Sequence, residues 1–170
     1  LDLQLPDAFA QAYQGPQFGI QGTRDLLGIQ GRPLIGTIIK PSVGLSPQAT
    51  AALVRQLVDA GIDFIKDDEL QGDGPGCPFD ERAAAVMRVV NDAADKTGRK
   101  VMVAFNITGD LDRMKRRHDR VRELGGTCVM VCVASVARSR STRWARFRSS
   151  CSSVPGGWLR PWARMAAQAL

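Results

Sequence analysis

At 170 residues, with 44% hydrophobic and 24% charged residues, the chain has the composition of one ordinary globular domain with a real core. No run approaches the ~20 apolar residues of a membrane span, and Leu1 to Asp7 lack the basic start and apolar stretch of a secretory signal. The net charge of +6 belongs to the C-terminal end: seven arginines and no acidic residue follow Ala137, and removing those seven leaves −1 for residues 1–136.

Four cysteines (Cys77, Cys128, Cys132, Cys151) form neither a CxxC pair nor a zinc spacing, which predicts free thiols in a reducing, cytoplasmic setting. Cys128 and Cys132 are expected on one side of one strand, as core packing. The chain starts without methionine, so an upstream portion is expected.

Residues 1–30 are punctuated by Pro6, Gly15-Pro16, Gly19, Gly22 and Gly28, with short helical pieces at Asp7–Tyr13 and Thr23–Leu27. They read as a linker segment wrapped on the domain. From Arg32 the pattern becomes regular. Leu34 to Lys40 is rich in β-branched residues and stops at Pro41, a buried strand. Ser46-Pro47 opens a helix, with serine as N-cap and proline at the first helical position; Leu53, Val54, Leu57 and Val58 keep its spacing and Gly61 closes it.

Next comes Ile62 to Glu69, an apolar strand that runs into Lys66, Asp67, Asp68 and Glu69 before the chain turns Gly-rich. A period of two sends Phe64, Lys66 and Asp68 to one face. The residues alone leave two readings. One is a solvated strand end with a surface Lys–Asp pair; the other is an amine and two carboxylates converging where a hard cation such as Mg²⁺ would find oxygen ligands. Asp67 points the other way and is expected to brace a helix. Gly72, Gly74 and Gly76 with Pro75 read as a flexible loop, too irregular for a phosphate cradle.

Asp80 to Lys96 is a second long helix, striped by Ala83, Val86, Met87, Val90 and Ala94. Val101 to Phe105 is a third strand leading into Asn106 and Thr108, Asp110 to Leu124 a third helix, and Thr127 to Val133 a fourth strand. The order β-α-β-α-β-α-β with short connections predicts an α/β fold with a parallel sheet and right-handed crossovers. No Gly-x-Gly-x-x-Gly or Gly-x-x-x-x-Gly-Lys motif follows any strand, so a nucleotide fold has no support. Each strand instead ends in its own polar group: Lys40, then Lys66 to Glu69, then Asn106 and Thr108. That is the habit of a TIM (β/α)₈ barrel, yet such a barrel needs ~250 residues and eight units. About three and a half units are written here, over residues 31–136. The prediction is a partial TIM barrel with an irregular basic tail.

Three separated segments carry a resemblance: Gly31-Arg32-Pro33-Leu34-Ile35-Gly36-Thr37-Ile38-Ile39-Lys40-Pro41, then Gly44-Leu45-Ser46, then Gly61-Ile62-Asp63-Phe64-Ile65-Lys66-Asp67-Asp68-Glu69. Together they resemble the start of the barrel domain in the RuBisCO large-chain superfamily. Gln14-Gly15-Pro16, Gly19-Ile20-Gln21 and Arg24-Asp25 are similar to the segment joining that family's N-terminal domain to its barrel, and the resemblance covers residues 2–136. It implies that Lys66 is the lysine carbamylated by CO₂, and that Lys66, Asp68 and Glu69 are the ligands of Mg²⁺. It also implies that Lys40 is the catalytic lysine that handles the substrate proton and enolate, where a cation stabilises developing charge. Only a neutral amine attacks CO₂, and a lysine able to lose its proton supplies one. Asn106, at the same mouth, is a candidate substrate-binding residue, with a turn cap as the alternative.

One departure from the family narrows the reading. The carboxylases have Lys-Pro-Lys at the first strand end, whereas this chain has Lys40-Pro41-Ser42. The resemblance is therefore to the RuBisCO-like, non-carboxylating branch, which implies an Mg²⁺-dependent enzyme that enolises a sugar-phosphate-like small molecule by isomerase, enolase or decarboxylase chemistry. The alternatives are a genuine ribulose-bisphosphate carboxylase and, in another class, a non-catalytic fragment with a nucleic-acid-binding tail. The resemblance further implies a homodimer or larger assembly in the intact parent, an N-terminal domain upstream of residues 1–30, and no membrane partner. The chain by itself is expected to be inactive.

Residues 137–170 depart from everything before them. They are rich in Arg, Ser and Trp, keep no strand or helix register, and contain all three tryptophans. Nucleic acid is expected on such a tail only incidentally. His118, the one histidine, sits in a predicted helix and is expected to be solvated. Loss of the reading frame near Val136 accounts for the tail, with a genuine basic tail as the alternative. Translating the source DNA beyond codon 136 in the two other frames should recover further barrel-like βα units in one of them; none in either would leave the genuine tail.

Overall fold

The computed structural model describes residues 7–12 and 18–132. The basic tail 137–170, its predicted departure from the fold and its incidental nucleic-acid contacts lie outside the described residues, as does Cys151. The elements run α1 (Asp7–Ala12), α2 (Ile20–Leu27), β1 (Gly36–Ile38), α3 (Pro47–Asp59), β2 (Phe64–Lys66), α4 (Phe79–Thr97), β3 (Met102–Asn106), α5 (Leu111–Glu123) and β4 (Cys128–Met130). No helix among the described residues is long and apolar enough to cross a membrane.

The four strands form one parallel sheet in the order β1-β2-β3-β4, each joined to the next by a helix. This is the predicted α/β arrangement of a partial barrel. Local chemistry sets the helix bounds. The Ser46 hydroxyl accepts from the Ala49 N–H and Pro47 follows it, while the Asp110 carboxylate accepts from the Arg113 N–H at the start of α5. Gly98 ends α4 at φ +70°, a conformation that costs other residues more.

The register fixes two faces. Ile39, Ile65, Val103, Phe105, Ile107 and Val129 point outward into a core completed by Val54 and Val58 of α3, Phe79, Val86 and Val90 of α4, and Met114 and Val121 of α5. β-Branched and aromatic side chains from the strands interlock there with one stripe from each helix. The inner face carries Met102, Ala104, Cys128 and Met130, and the linker segment covers it with Leu27 and Ile29. Phe18, Leu26, Leu34 and Phe64 pack against that second cluster. Gly36 makes the β1–β2 approach possible, because a Cβ there would lie 2.8 Å from the Phe64 ring.

Three expectations are corrected. β1 is not a buried strand: it forms only over Gly36–Ile38, and Ile35 and Ile38 are exposed because β1 is an edge of the sheet among the described residues. His118 is buried, at 8% exposure, because the inward stripe of α5 reads Met114, Arg117, His118 and Val121; its ring lies 3.0 Å from the Asp119 carboxylate. Cys128 is buried as expected, but Cys132 lies past the end of β4 and is only partly buried.

At the N-terminal end of the sheet, buried Asp63 joins the linker segment to β1 and β2. Its carboxylate accepts from both terminal nitrogens of Arg32, at 2.6 and 2.9 Å, and from the Ile35 N–H at 2.9 Å. The Arg32 guanidinium, and then the Ile35 N–H, hold this carboxyl below the usual range against the opposing effect of burial. A depressed carboxyl contributes stability above the ordinary carboxylate pKa and loses it as pH falls through the folded value. Asp63→Asn is expected to lower stability at neutral pH by about 1–2 kcal/mol, at the modest end for charged hydrogen bonds since Arg32 is half exposed. In urea titrations the gap should narrow below about pH 4. An equal gap at acid and neutral pH would show that the charge is not what matters.

Candidate metal centre at the strand ends

Strand β2 stays hydrogen-bonded past its formal end, with the Asp67 N–H donating to the Ala104 carbonyl at 3.0 Å. The alternation therefore continues through the charged residues. Lys66 and Asp68 turn to the inner face and Asp67 to the outer one. The parallel register sets Ile38, Lys66 and Ala104 side by side, and Asn106 beside Met130. Lys40, the Lys66–Glu69 run and Asn106 thus meet at one end of the sheet.

Two ion pairs close this cluster. Lys66 is buried at 6% exposure, and its Nζ donates to Glu69 Oε1 at 2.6 Å and to the Asp67 carbonyl at 3.2 Å. The more exposed Lys40 Nζ lies 2.5 Å from Asp68 Oδ2 and 3.0 Å from the Ser42 hydroxyl. Asp68 also accepts from the Leu70 N–H at 2.9 Å. Lys40 first, then the Leu70 N–H, hold the Asp68 carboxyl below its ordinary range; Lys66 does the same for Glu69. Two ammonium groups here answer two carboxylates, so the cluster is neutral as it stands. Converting one amine to an anion would leave two carboxylates, a third oxygen donor and one cation, a hard-ligand set of the kind Mg²⁺ takes. The residues present fit such an ion on that condition. Among the described residues no three His, Cys, Asp or Glu side chains cluster as a ready-made metal site.

Asn106 is 4% exposed, and its amide is engaged at both ends. The nitrogen donates to the carbonyls of Asp68, Glu69 and Gln71 at 3.1–3.2 Å, and the oxygen accepts from the Thr108 N–H and hydroxyl. Here the side chain holds the backbone that carries the carboxylates.

Asp67, expected to brace a helix, and four residues without an assigned role in the sequence reading, Gln71, Asp73, Arg82 and Arg117, support this centre from beneath. Asp67, 1% exposed, accepts from Arg82 at 3.2 Å and from the Asn106 N–H at 3.0 Å. Burial pushes its carboxyl up, and the Arg82 charge and the Asn106 N–H oppose that. Arg82 is wholly buried and also donates to the carbonyls of Gly72 and Cys77, both at 3.2 Å. The Gln71 amide, oriented to satisfy both neighbours, donates to the Ser42 carbonyl at 2.7 Å and accepts from Arg82 at 3.2 Å. Arg117 pairs with Asp73 at 2.8 Å and donates to the Thr108 carbonyl at 2.6 Å, while Asp73 caps the Phe79 N–H at 2.8 Å. Both guanidinium carbons lie 5.4 Å from the centroid of the Phe79 ring. The Gly-rich segment expected to be a flexible loop is therefore pinned at Gln71, Gly72, Asp73 and Cys77. The signal in the sequence was a basic residue inside an apolar stripe: Arg82 among Phe79, Ala83 and Val86, and Arg117 between Met114 and Val121.

Residues 19–150 match the family described as ribulose bisphosphate carboxylase large chain, catalytic domain. The chain is 66% identical over 136 residues to a 3-oxo-isoapionate-4-phosphate transcarboxylase/hydrolase of Xanthobacter autotrophicus, covering 80% of this chain and 33% of that protein. It is 50% identical over 137 residues to a 3-oxo-isoapionate-4-phosphate decarboxylase of Rhizobium etli, again with 80% and 33% covered. Among solved structures, the octameric ribulose-1,5-bisphosphate carboxylase/oxygenase of Pyrococcus horikoshii matches with a TM-score of 0.76 at 33% identity, covering 86% of this chain and 35% of that one. The chain spans about a third of the length of the relatives it matches.

Breaking the buried pair tests how far the centre depends on it. Arg82→Met leaves Asp67 buried without its partner and is expected to cost about 3–5 kcal/mol; adding Asp67→Leu should recover part of that loss. Urea unfolding of the two variants measures both. An Arg82→Met protein as stable as the parent would show that the pair does not hold this end of the sheet.

Proposed function

The chain belongs to the family of the ribulose bisphosphate carboxylase large chain catalytic domain, a family of enzymes, and on that premise we propose that it carries the cation-binding end of a RuBisCO-like, Mg²⁺-dependent enzyme acting on a phosphorylated 3-oxo sugar acid. The observation that carries the proposal is the meeting of two amines and two carboxylates at the mouth of β1 and β2. Lys40 Nζ is 2.5 Å from Asp68, and Lys66 Nζ is 2.6 Å from Glu69.

In this reading the neutral amine of Lys66 attacks CO₂, a nitrogen–carbon bond forms, and a proton leaves to solvent. The positive partner of Glu69 becomes an anionic one, and Lys66, Asp68 and Glu69 would then be the residues that hold Mg²⁺. When bound, the ion supplies fixed positive charge where a substrate enolate develops negative charge. Loss of CO₂ from a 3-oxo acid leaves such an enolate: the carbon–carboxylate bond breaks and its electron pair passes into the neighbouring carbonyl. Lys40, at the mouth and exposed over most of its side chain, holds the proton at Nζ that the enolate carbon takes up. Asn106 serves the same site by fixing the backbone of Asp68 and Glu69, and so the side of the site the substrate would meet.

The decarboxylase and transcarboxylase names of the relatives support this substrate class. Ser42 supports it over carboxylation, since its hydroxyl stands beside Lys40 where the carboxylases place a second lysine. The octameric assembly of the archaeal neighbour supports a dimer or larger assembly for the protein that carries this segment.

¹³C NMR in ¹³C-bicarbonate and Mg²⁺ is expected to show one carbamate resonance in this chain that is lost in Lys66→Met. The same resonance in both proteins, or in neither, would overturn the assignment. For the reaction, release of CO₂ from 3-oxo-isoapionate 4-phosphate is to be compared with fixation of CO₂ on ribulose 1,5-bisphosphate, using a protein that carries this segment within the length of its relatives. Release alone is the expected result; fixation would make it a carboxylase.

A further inference from the structure

The ligand-bearing segment has a scaffold on its outer side that no substrate or ion would touch. Arg82 is wholly buried in the first turn of α4, yet its contacts go back to the segment after β2. One terminal nitrogen reaches Asp67, the residue between Lys66 and Asp68, and the other reaches the carbonyls of Gly72 and Cys77. Gln71 takes a further hydrogen bond from that guanidinium and hands the contact on to the Ser42 carbonyl, next to Lys40. A planar guanidinium with several fixed donors suits this task in a way an ammonium does not.

We propose that Arg82 and Gln71 are positioning residues of the cation site: together they set where Asp68 and Glu69 stand relative to Lys66, and where the Lys40 loop stands relative to both. The inference rests on the Mg²⁺ reading given above. Its physical basis is that a carboxylate pair binds a cation tightly only when its backbone is already held at the binding geometry, and groups behind the ligands commonly set affinity by 10–100-fold. Gln71 is the gentler handle, because it is only partly buried and its loss strands no charge.

The test measures Mn²⁺ affinity in bicarbonate buffer by electron paramagnetic resonance for the 170-residue chain and for Gln71→Leu, Gln71→Glu and Arg82→Lys. Amide hydrogen exchange over residues 68–77 and thermal unfolding are followed on the same samples. Gln71→Leu should weaken Mn²⁺ binding by roughly 10-fold and speed exchange over 68–77, while exchange in β3 and α3 stays as in the parent. Gln71→Glu, which still accepts from Arg82 but cannot donate to the Ser42 carbonyl, should recover only part of that affinity. Arg82→Lys should weaken binding more than Gln71→Leu; if it does not fold, the Gln71 variants decide alone. Parent-like Mn²⁺ affinity in Gln71→Leu would overturn the positioning role while leaving the cation site standing. A parent chain that binds no Mn²⁺ in bicarbonate would instead remove the cation site itself, and the proposal with it.

Discussion

Asp67 and Arg82 meet with no solvent between them, and the arrangement of this end of the sheet follows from that contact. A carboxylate buried this deeply is disfavoured in its charged form unless a cation and N–H donors answer it. Arg82 and the Asn106 N–H do so. Once Asp67 is fixed to the outer helix layer, strand alternation leaves Lys66 and Asp68 no choice but the inner face. One outward carboxylate therefore determines which residues become available for chemistry.

The inner cluster is built to a different rule. Lys66 is almost as buried as Asp67, but its partner Glu69 is half exposed, and Lys40 reaches Asp68 from the solvent side. Those pairs satisfy the charges while one partner of each, Glu69 and Lys40, stays in reach of solvent. The pair behind the strand is closed to solvent and the pairs in front of it are open on one side.

The sheet explains how a short segment can hold such a site. Its outer face is covered by three helices and its inner face, at the opposite end, by Leu27 and Ile29 of the linker. Among the described residues β1 and β4 each have one hydrogen-bonded strand neighbour, and Ile35 and Ile38 along the β1 edge stay open to solvent. The pairs β1–β2 and β2–β3 flank β2 on both sides, so the charged cluster lies where the sheet is best supported.

Much of this was legible in the residues. Proline and glycine punctuation, the Ser46 and Asp110 caps and the apolar stripes located the helices and strands to within a few residues. Alternation along Ile62 to Glu69 separated Asp67 from Lys66 and Asp68 before any coordinates were needed, because a period of two is a property of extended backbone alone. The tertiary structure decided what lies behind those residues. It showed that Arg82, Arg117 and His118 are buried, that Gln71 bridges two strand ends, and that the amide of Asn106 is taken up by the loop beside it. Each of those facts depends on which elements pack together and at what distance. Arg117 reaches Asp73 across 44 positions and Asn106 reaches the Asp68 carbonyl across 38, and periodicity carries no information about such partners. The strand's own order put Lys66 and Asp68 on one face; the packing of α4 and α5 behind it fixed where they stand.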